Sequence, residues 1–502
     1  MLNFIAVLIF AFAVFSLVSV KCGFYKTEYD SRNARHNALM VLGAVLLGCF
    51  SLVIFYLLKE NSLMYPFAKP LINCNPYEQM FDALMKKQLY LDIEPEEALL
   101  RMANPYDTEL RNSLGVSYLW DRAFYNGHYY SYFGIAPLIL IYFPFYFITG
   151  KVPAPQTVCL IISLVFIPLC TALTVRVGRV FAKKVNLYIL FFSVFACTSG
   201  SLIFMVQSSA DFYYIAVASG LLFLAAFLYF TVCAHEKDEY KKKALYFFLS
   251  GISLVLLTAS RPNLAIYFVT AVPVYLSVLF GKEFKISEKA VQVLSFAVPV
   301  TAGAAAIMYY NYARFGSVFE FGATYQLTVH DVGDYSFSPA LIMPALYFYF
   351  FKMPRFTSEA PFLELPFIRP DTGSKYLYVT STVGAFAFLQ NWVCVFSPAV
   401  LTGQKDRVKK GFIALSLICT LILAYYDICF AGINLRYLAD ISLVLILVSS
   451  VLLEDIYTNI KKEQTKKPAY IIILFLMLLS FIFGLMLVLN NERDYLFKKY
   501  LK

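Results

Sequence analysis

Residues 118–134 read YLWDRAFYNGHYYSYFG, a polar and aromatic stretch in a chain that is otherwise strongly apolar. An acid and a base stand side by side at Asp121 and Arg122, ahead of an Asn-Gly turn and a dense run of tyrosines. The runs around this region are long enough to enter hydrocarbon, where polar groups are costly unless they are paired. The stretch therefore predicts a loop at a membrane surface, polar because it lines a cavity and aromatic because that cavity meets lipid.

The composition sets the class of the protein. The chain has 502 residues, of which 60% are hydrophobic and only 15% are charged, and its mean hydropathy is +0.67. Soluble domains are usually about 45–50% apolar, with roughly a quarter of their residues charged. We therefore predict an all-α polytopic membrane protein in which residues 1–502 form a single transmembrane domain. The ten cysteines include no CxxC pair and are expected to be free thiols.

The chain contains about twelve apolar runs that have the length of a membrane-crossing helix. They lie near residues 3–20, 38–58, 155–175, 186–207, 212–233, 244–260, 263–281, 290–310, 379–401, 411–431, 439–455 and 468–490. The run at 136–150, APLILIYFPFYFITG, is shorter and carries Pro137 and Pro144. We expect it to be an interfacial or re-entrant segment rather than a crossing.

Six basic clusters recur at every second connection between these runs, as is typical of cytoplasmic loops. They lie within residues 21–35, 176–184, 237–243, 282–289, 405–410 and 461–467. This distribution accounts for the net charge of +10 without nucleic acid as a partner. It predicts a multi-pass protein of the cytoplasmic membrane, with residues 59–154 and 311–378 as extracytoplasmic loops. Cys74 is then expected to be reached by reagents outside the cell.

The first outer loop is expected to be partly helical and to lie on the membrane surface. Residues 81–85 and 98–102 carry apolar side chains at helical spacing. NPYD at 104–107 and YNGHY at 125–129 are turn sequences. The loop is thus predicted to be a chain of short amphipathic helices joined by turns.

Three acids of this loop are candidates for chemistry, while the others are expected to face water. Glu78, Asp107 and Asp121 each stand among aromatic residues beside a turn. Partial desolvation there raises the pKa of a carboxylate toward that of a useful base. A local ion pair with Arg122 is the alternative for Asp121. Asp211, in SSADFYY, is expected to line the same outer cavity.

Several stretches resemble the C-type (GT-C) glycosyltransferases, the clan of protein O-mannosyltransferases and bacterial lipid A aminoarabinose transferases. They are DALMKKQLYLD (82–92), YNGHYYSYFGIAP (125–137), FLSGISLVLLTASRPN (248–263), YNYARFGSVFEFGATYQLT (310–328) and INLRYLADIS (433–442). The chain is most similar to bacterial, mannosyltransferase-like members of this clan. It departs from them where an adjacent Asp-Glu pair is usual, because Tyr77-Glu78 stands there instead. This departure leaves the identity of the catalytic acid open.

The resemblance implies transfer of a sugar from a polyprenyl-phosphate carrier to a glycan, protein or lipid acceptor of the cell envelope, with inversion. A carboxylate accepts the proton of the acceptor hydroxyl, cations hold the carrier phosphate, and tyrosines bind the sugar or acceptor. The candidate bases are Asp121 and Asp107, followed by Glu78. The candidate phosphate-binding cations are Arg261, Arg436 and Arg122, and the candidate sugar-binding residues are Tyr125, Tyr129 and Tyr130.

Simpler interpretations of some of these residues stay open. Arg436 can pair with Asp440 or extend along lipid to the interface, and Arg261 can simply mark a hairpin turn before Pro262. Most of the tyrosines can be interfacial anchors. No cofactor is required, although a divalent cation between Asp107 and Asp121 is compatible with the sequence.

Two other classes of function compete with an enzyme. A multi-pass transporter or flippase usually carries ionisable residues within its spans, whereas the spans here look nearly free of charge. A non-catalytic scaffold of polysaccharide export would use the outer loop as an interaction surface. Because the residues capable of chemistry concentrate in the outer loops, the sequence favours a glycosyltransferase that works among membrane lipids.

Overall fold

The computed structural model describes residues 2–58, 64–65, 75–182, 184–236, 238–358, 362–370, 377–402 and 405–491. Cys74, whose outside exposure the sequence predicts, lies outside these described residues. Within them the chain is mainly helical, with strands of only two or three residues. The predicted all-α polytopic class is confirmed.

The chain begins with two long helices and then enters the first outer loop, which holds short ones. The two long helices are α1 (Leu2–Lys21) and α2 (Ala34–Leu58). The short ones are α3 (Pro76–Met85), α4 (Glu97–Leu100), α5 (Thr108–Ser113) and α6 (Phe143–Thr149), and a π-helical turn at Leu138–Tyr142 precedes α6. The combined segment from 138 to 149 is too short to cross a bilayer as a helix, as predicted. Phe147 and Ile148 on it are largely exposed, which suits contact with lipid.

The rest of the described chain contains long apolar helices together with a few short ones. They are α7 (Pro155–Ala182), α8 (Leu187–Gly200) with α9 (Ile203–Ser208), α10 (Phe212–Glu236), α11 (Tyr240–Ser260), a 3₁₀ segment (Pro262–Ala271) with α12 (Val272–Phe280), α13 (Ile286–Phe315), α14 (Ile342–Leu346), α15 (Ser397–Thr402), α16 (Arg407–Phe430), α17 (Leu435–Asn459) and α18 (Glu463–Asn491). Ten elements of the described chain, α2 among them, are long and apolar enough to cross a membrane. The α17 helix is the central one, because 94% of its most apolar window is buried inside the protein.

One predicted crossing has a different conformation from the one expected. Residues 379–401 form 3₁₀ turns at Ala385–Ala387 and Leu389–Phe396, followed by the short α15, rather than one α-helix. The segment nevertheless runs the length of the bundle. Val379 bridges to Ile433 beside the start of α17, whereas Lys409, just beyond the segment, pairs with Asp455 near its end. The buried Gln390 and Asn391 bond α17 from inside the segment, so hydrogen bonding to a neighbour replaces part of the α-helical pattern.

All six predicted basic clusters lie at one end of the bundle, as the alternation of loops requires. The contacts that join them are Lys26 Nζ with Glu463 Oε1 (2.9 Å), the Lys184 carbonyl with Thr458 Oγ1 (2.9 Å), Arg179 Nη2 with Glu236 Oε1 (3.0 Å), the Lys243 ammonium with the Phe284 ring (5.0 Å) and Lys409 Nζ with Asp455 Oδ1 (2.7 Å). The two outer loops consequently meet at the opposite end.

The α3 helix is buried rather than laid on the surface, which corrects the prediction for this part of the first loop. Asn75 caps its N-terminus, and every residue from Pro76 to Ala83 is buried. The Tyr77 ring stacks at 5.8 Å on Tyr142, so the short segment at 138–149 covers the helix. Aromatic packing therefore draws α3 into the protein.

A hairpin within the polar and aromatic stretch at residues 118–134 follows these helices. Strands β2 (Ala123–Tyr125) and β3 (His128–Tyr130) pair antiparallel around Asn126 and Gly127, both of which have positive φ. An Asn-Gly pair of this kind is the usual two-residue hairpin turn, because both residues tolerate the left-handed region. The remaining strands are short pairs: β1 (Met64–Tyr65) with β4 (Val152–Pro153), and β5 (Arg355–Phe356) with β6 (Leu363–Glu364).

The hairpin strand β3 leads into a tight contact with the transmembrane bundle. A Cβ added to Gly134 would lie 2.3 Å from the backbone carbonyl oxygens of both Ala259 and Ser260 at the end of α11. Backbone atoms cannot move aside as a flexible side chain can. Glycine at 134 therefore lets the first outer loop rest directly on α11.

Replacing Gly134 with Ala should loosen this contact and lower stability by about 1–3 kcal/mol, the usual cost of overpacking. The measurement is the melting temperature of the purified protein in detergent. Gly48→Ala is the matched control, because a Cβ at Gly48 meets nothing within 4 Å. Equal melting temperatures for the two variants would contradict the tight contact.

Candidate active site

Asp121 lies at the point where the two outer loops meet the helices. Its backbone has φ of 61°, in the left-handed region that residues other than glycine seldom adopt, although Asp and Asn do so more often than most. Its backbone N–H donates to the Leu327 carbonyl at 2.9 Å. The carboxylate is only 4% exposed and accepts hydrogen bonds from the Tyr213 hydroxyl and the Gln326 amide. Partners from two distant segments thus hold one acid in an unusual conformation.

The second outer loop builds half of this site by adding an edge to the hairpin. Leu327 N–H donates to the Arg122 carbonyl at 2.9 Å, and Phe124 N–H donates to the Tyr325 carbonyl at 2.8 Å. These bonds set Gln326 over the carboxylate of Asp121, and the same Gln326 amide nitrogen donates to the Tyr132 hydroxyl at 3.1 Å. The predicted loop at 311–378 is therefore part of the site.

Burial dominates the electrostatics of the two acids here. It raises the pKa of Asp121 above its usual value, while the hydrogen bond from Tyr213 and the charge of Arg436 act in the opposite direction. Burial also raises the pKa of Asp211, which accepts from the Tyr213 N–H at 2.7 Å and the Tyr214 N–H at 3.3 Å and so caps α10. Asp211 also feels the charges of Arg436 and Asp121, so it lies near both of these groups.

Arg436 provides the positive charge of this site from the first turn of α17, the helix whose N-cap is Asn434. Its guanidinium lies 4.4 Å from the Tyr213 ring centroid, and Nη2 donates to the Tyr437 hydroxyl at 3.1 Å. Within the described chain it has no carboxylate at ion-pair distance. The alternative of a pair with Asp440 is therefore wrong, and donors of Arg436 stay open to an anion.

Arg261, rather than Arg436, forms the ion pair with Asp440. Its Nε and Nη2 each donate to one oxygen of Asp440 at 2.6 Å, a bidentate ion pair in which Asp440 is only 1% exposed. Asn263 donates to Asp440 at 3.0 Å and to Asp427 at 3.1 Å. Because Asp427 and Asp440 lie in α16 and α17, the expectation that the spans are nearly free of charge is wrong.

Arg122, the third predicted cation, points into the packing of the first loop. Its Nε donates to Gln79 Oε1 at 2.8 Å, its Nη1 donates to the Trp120 carbonyl at 3.0 Å, and its guanidinium lies 5.9 Å from the Phe212 ring. These contacts join α3, the start of the hairpin and α10. Arg122 is thus placed to hold the loop on the bundle while its charge also favours an ionised Asp121.

The other two candidate acids serve local structure. Glu78 is buried in the first turn of α3 and accepts from Asn75 Nδ2 at 2.6 Å. Asp107 is the N-cap of α5 and accepts from the Leu110 N–H at 2.9 Å. Within the described ranges no three His, Cys, Asp or Glu side chains are grouped as metal ligands.

The three candidate tyrosines lie on the hairpin in different surroundings. Tyr129 is buried, and its hydroxyl accepts from the Leu119 N–H at 3.2 Å. Tyr130 is also buried, with its ring 5.1 Å from Phe315. Tyr125 is half-buried, and its ring packs at 4.6 Å on that of Tyr325. Of the three, Tyr125 is the most exposed.

Sequence reasoning missed the residues that hold Asp121 in place. Tyr213, Gln326 and Tyr132 each stood in a quoted stretch, yet nothing in their spacing indicates that they meet. Gln326 is 205 positions from its partner in the chain. Only the position of Tyr213 could have been noticed, because it lies two residues after the candidate Asp211 in SSADFYY.

Comparisons with known proteins find little at the level of sequence. No protein-family profile matches the chain, and no curated protein sequence matches it. Among solved structures, the chain is similar to the crystal structure of ArnT from Cupriavidus metallidurans bound to undecaprenyl phosphate. The identity is 9%, the match covers 89% of this chain and 76% of that chain, and the TM-score is 0.47.

Replacing Gln326 with Leu should release the second outer loop from the hairpin, because Asp121 and Tyr132 then lose a shared donor. A buried polar group left without its partner costs about 1–3 kcal/mol. The measurement is hydrogen exchange at the backbone N–H groups of Asp121 and Leu327, which should become faster. Val329→Ala changes an exposed side chain of the same loop and should leave these rates unaltered. Unchanged exchange in the Gln326 variant would show that the backbone bonds alone fix the loop.

Proposed function

We propose that this protein is an integral-membrane glycosyltransferase that moves a hexosyl or pentosyl group from a polyprenyl-phosphate carrier to an acceptor hydroxyl. The acceptor belongs to a glycan, a protein or a lipid of the cell envelope. The reaction takes place on the extracytoplasmic side of the cytoplasmic membrane, and residues 1–502 act as one transmembrane domain.

The observation that carries this proposal is the placement of Tyr213 between a carboxylate and a cation. Its hydroxyl donates to Asp121, and its ring lies under the guanidinium of Arg436 at 4.4 Å. A buried acid whose pKa is raised is suited to accept a proton. A guanidinium with N–H donors that no described residue bonds is suited to hold a phosphate. Transfer from a phosphate-linked donor to a hydroxyl needs these two groups side by side.

In the proposed reaction the acceptor oxygen attacks the anomeric carbon of the sugar. The bond from that carbon to the phosphate oxygen breaks as the new bond forms, and the proton of the acceptor passes to Asp121. The phosphate leaves on its carrier, and Arg436 stabilises the charge that develops on it. A single displacement inverts the configuration at the anomeric carbon. The Tyr125 ring supplies an apolar face for the sugar or acceptor.

The charge distribution supports the side of the membrane. The six basic clusters share the end of the bundle opposite Asp121, and basic loops are typical of the cytoplasmic side. A site outside the cytoplasm has no supply of nucleotide sugars, so its donor has to arrive anchored in the membrane. A polyprenyl-phosphate sugar meets that requirement.

Asp121→Asn should lower turnover of a radiolabelled polyprenyl-phosphate sugar by about 10²–10⁴-fold, the range for loss of a general base. Asparagine tolerates positive φ and keeps the shape of the side chain, so the fold should persist. Asp107→Asn is the matched control, since asparagine is an equally good helix N-cap and activity should be retained. A loss in the Asp107 variant alone would transfer the role of base to Asp107.

The pH dependence of kcat/KM tests the same assignment. A base has to be ionised, and burial raises the pKa of Asp121, so activity should rise with pH through a limb above the ordinary aspartate range. Tyr213→Phe removes a hydrogen bond that favours the ionised form, and this limb should move to higher pH. Tyr325→Phe, a hydroxyl removed from the same region, should leave the limb in place. A limb that is identical in all three proteins would mean that Asp121 is not the titrating group.

A transporter is the second candidate, because Asp427 and Asp440 are buried within helices that span the bundle. Ionisable residues in such positions often line pathways for ions or substrates. Asp121→Asn separates the two functions. If the protein is a transporter, uptake of its solute into proteoliposomes should depend on Asp427 rather than on Asp121. No glycosylated product should then appear.

A further inference from the structure

Arg261 is held beside the proposed site in a way that leaves one of its nitrogens uncommitted. Nε and Nη2 are bound to Asp440, and no residue in the described parts of the chain bonds Nη1. The Arg261 side chain is 14% exposed, whereas that of Asp440 is 1% exposed. The guanidinium therefore has one edge, at Nε and Nη2, that faces Asp440, and an outer edge, at Nη1, that no described residue bonds.

Arg261 and Arg436 meet the same aromatic ring. The Tyr437 ring centroid lies 5.5 Å from the guanidinium carbon of Arg261 and 5.1 Å from that of Arg436. Both cations are anchored on the first turns of α17, Arg436 directly and Arg261 through Asp440. An anion bound at Arg436 is thus close to a second guanidinium whose charge Asp440 already balances.

We propose that Asp440 limits the affinity of the site for the carrier phosphate by competing with that phosphate for Arg261. This inference rests on the proposed function. A phosphate on Arg436 attracts the positive charge of Arg261, and any movement of the Arg261 guanidinium toward that phosphate weakens its pair with Asp440.

The surroundings of Asp440 make this exchange feasible. Asn263 donates to Asp440 and to Asp427, so Asp440 retains a hydrogen bond when Arg261 shifts toward the phosphate. The Tyr267 hydroxyl donates to the Asp440 backbone carbonyl at 3.0 Å and holds this turn of α17 in place. Uncovering a buried carboxylate is nevertheless costly, and this cost lowers the affinity of the site for phosphate.

A lowered affinity serves the proposed reaction because of the charge on its product. The phosphate of the donor is a diester with one negative charge, whereas the released carrier phosphate is a monoester with about −1.5 to −2 at neutral pH. Two free arginines would bind the product more tightly than the donor and retain it. Competition from Asp440 opposes this retention and favours release of the spent carrier.

The test measures binding of undecaprenyl phosphate to the full-length protein in lipid nanodiscs. Asp440→Asn frees Arg261 and should tighten binding about tenfold, the value of one further charge-assisted contact. The same variant should show stronger inhibition of turnover by added undecaprenyl phosphate. Binding of the neutral undecaprenol should change less than twofold on the same affinity scale, because it carries no phosphate.

Asp427→Asn is the matched control, because it also removes one buried acid next to Asn263, while Asp427 makes no ion pair with Arg261 in the described chain. It should tighten binding far less than Asp440→Asn. In the double variant Arg261→Gln and Asp440→Asn the gain should disappear, which assigns it to Arg261 rather than to the loss of a negative charge. Asn263→Ala should weaken phosphate binding, since Asp440 then loses the hydrogen bond that Asn263 donates to it. This last variant tests the exchange even if Asp440→Asn does not fold.

The outcomes separate this inference from the function on which it rests. If the wild type binds undecaprenyl phosphate in an Arg436-dependent manner, yet Asp440→Asn gives no tightening or the double variant keeps it, Arg261 and Asp440 are only a structural tie between α11 and α17. An Asn263→Ala variant that binds as the wild type does would equally overturn the exchange. If the wild type shows no such binding at all, the proposed function fails and the inference fails with it.

Discussion

A charged group buried beside hydrocarbon has to have a partner, and this requirement organises the end of the bundle where the outer loops meet. Asp121 is 4% exposed, so its carboxylate is stable only while the Tyr213 hydroxyl and the Gln326 amide reach it. Those partners belong to a transmembrane helix and to the second outer loop. One buried acid thereby ties together three parts of the chain that are far apart in sequence.

The same requirement explains the central position of α17. This helix carries polar side chains along a largely buried surface, and each group of them is met from a neighbouring element. Arg261 and Asn263 serve Asp440 near one end, Gln390 bonds Ser449 and Ser450 in the middle, and Lys409 pairs with Asp455 near the other end. Because hydrogen bonding in a low-dielectric interior is directional, these contacts also fix the rotation of α17 and therefore the position of Arg436.

The electrostatic arrangement divides the cations into two kinds. Arg261 is balanced by an acid inside the protein, whereas Arg436 shares the fields of Asp121 and Asp211 without an ion pair in the described chain. In the proposed function, this division suits a cycle in which a phosphate-bearing ligand has to be bound and then released, because affinity that is too high would stop turnover.

The sequence by itself determined the class of the protein, most of the crossings, the common side of the basic clusters, the Asn-Gly turn and the choice of Asp121 as a candidate. These features follow from local composition and spacing, since run length, charge between runs and turn residues act over a few positions. Only the tertiary structure decided that Gln326 reaches Asp121 across 205 positions, that Asp440 pairs with Arg261 rather than Arg436, and that residues 379–401 cross in an irregular conformation. Each of these depends on which buried polar groups become neighbours, and that is set by how the helices pack and not by any periodicity along the chain.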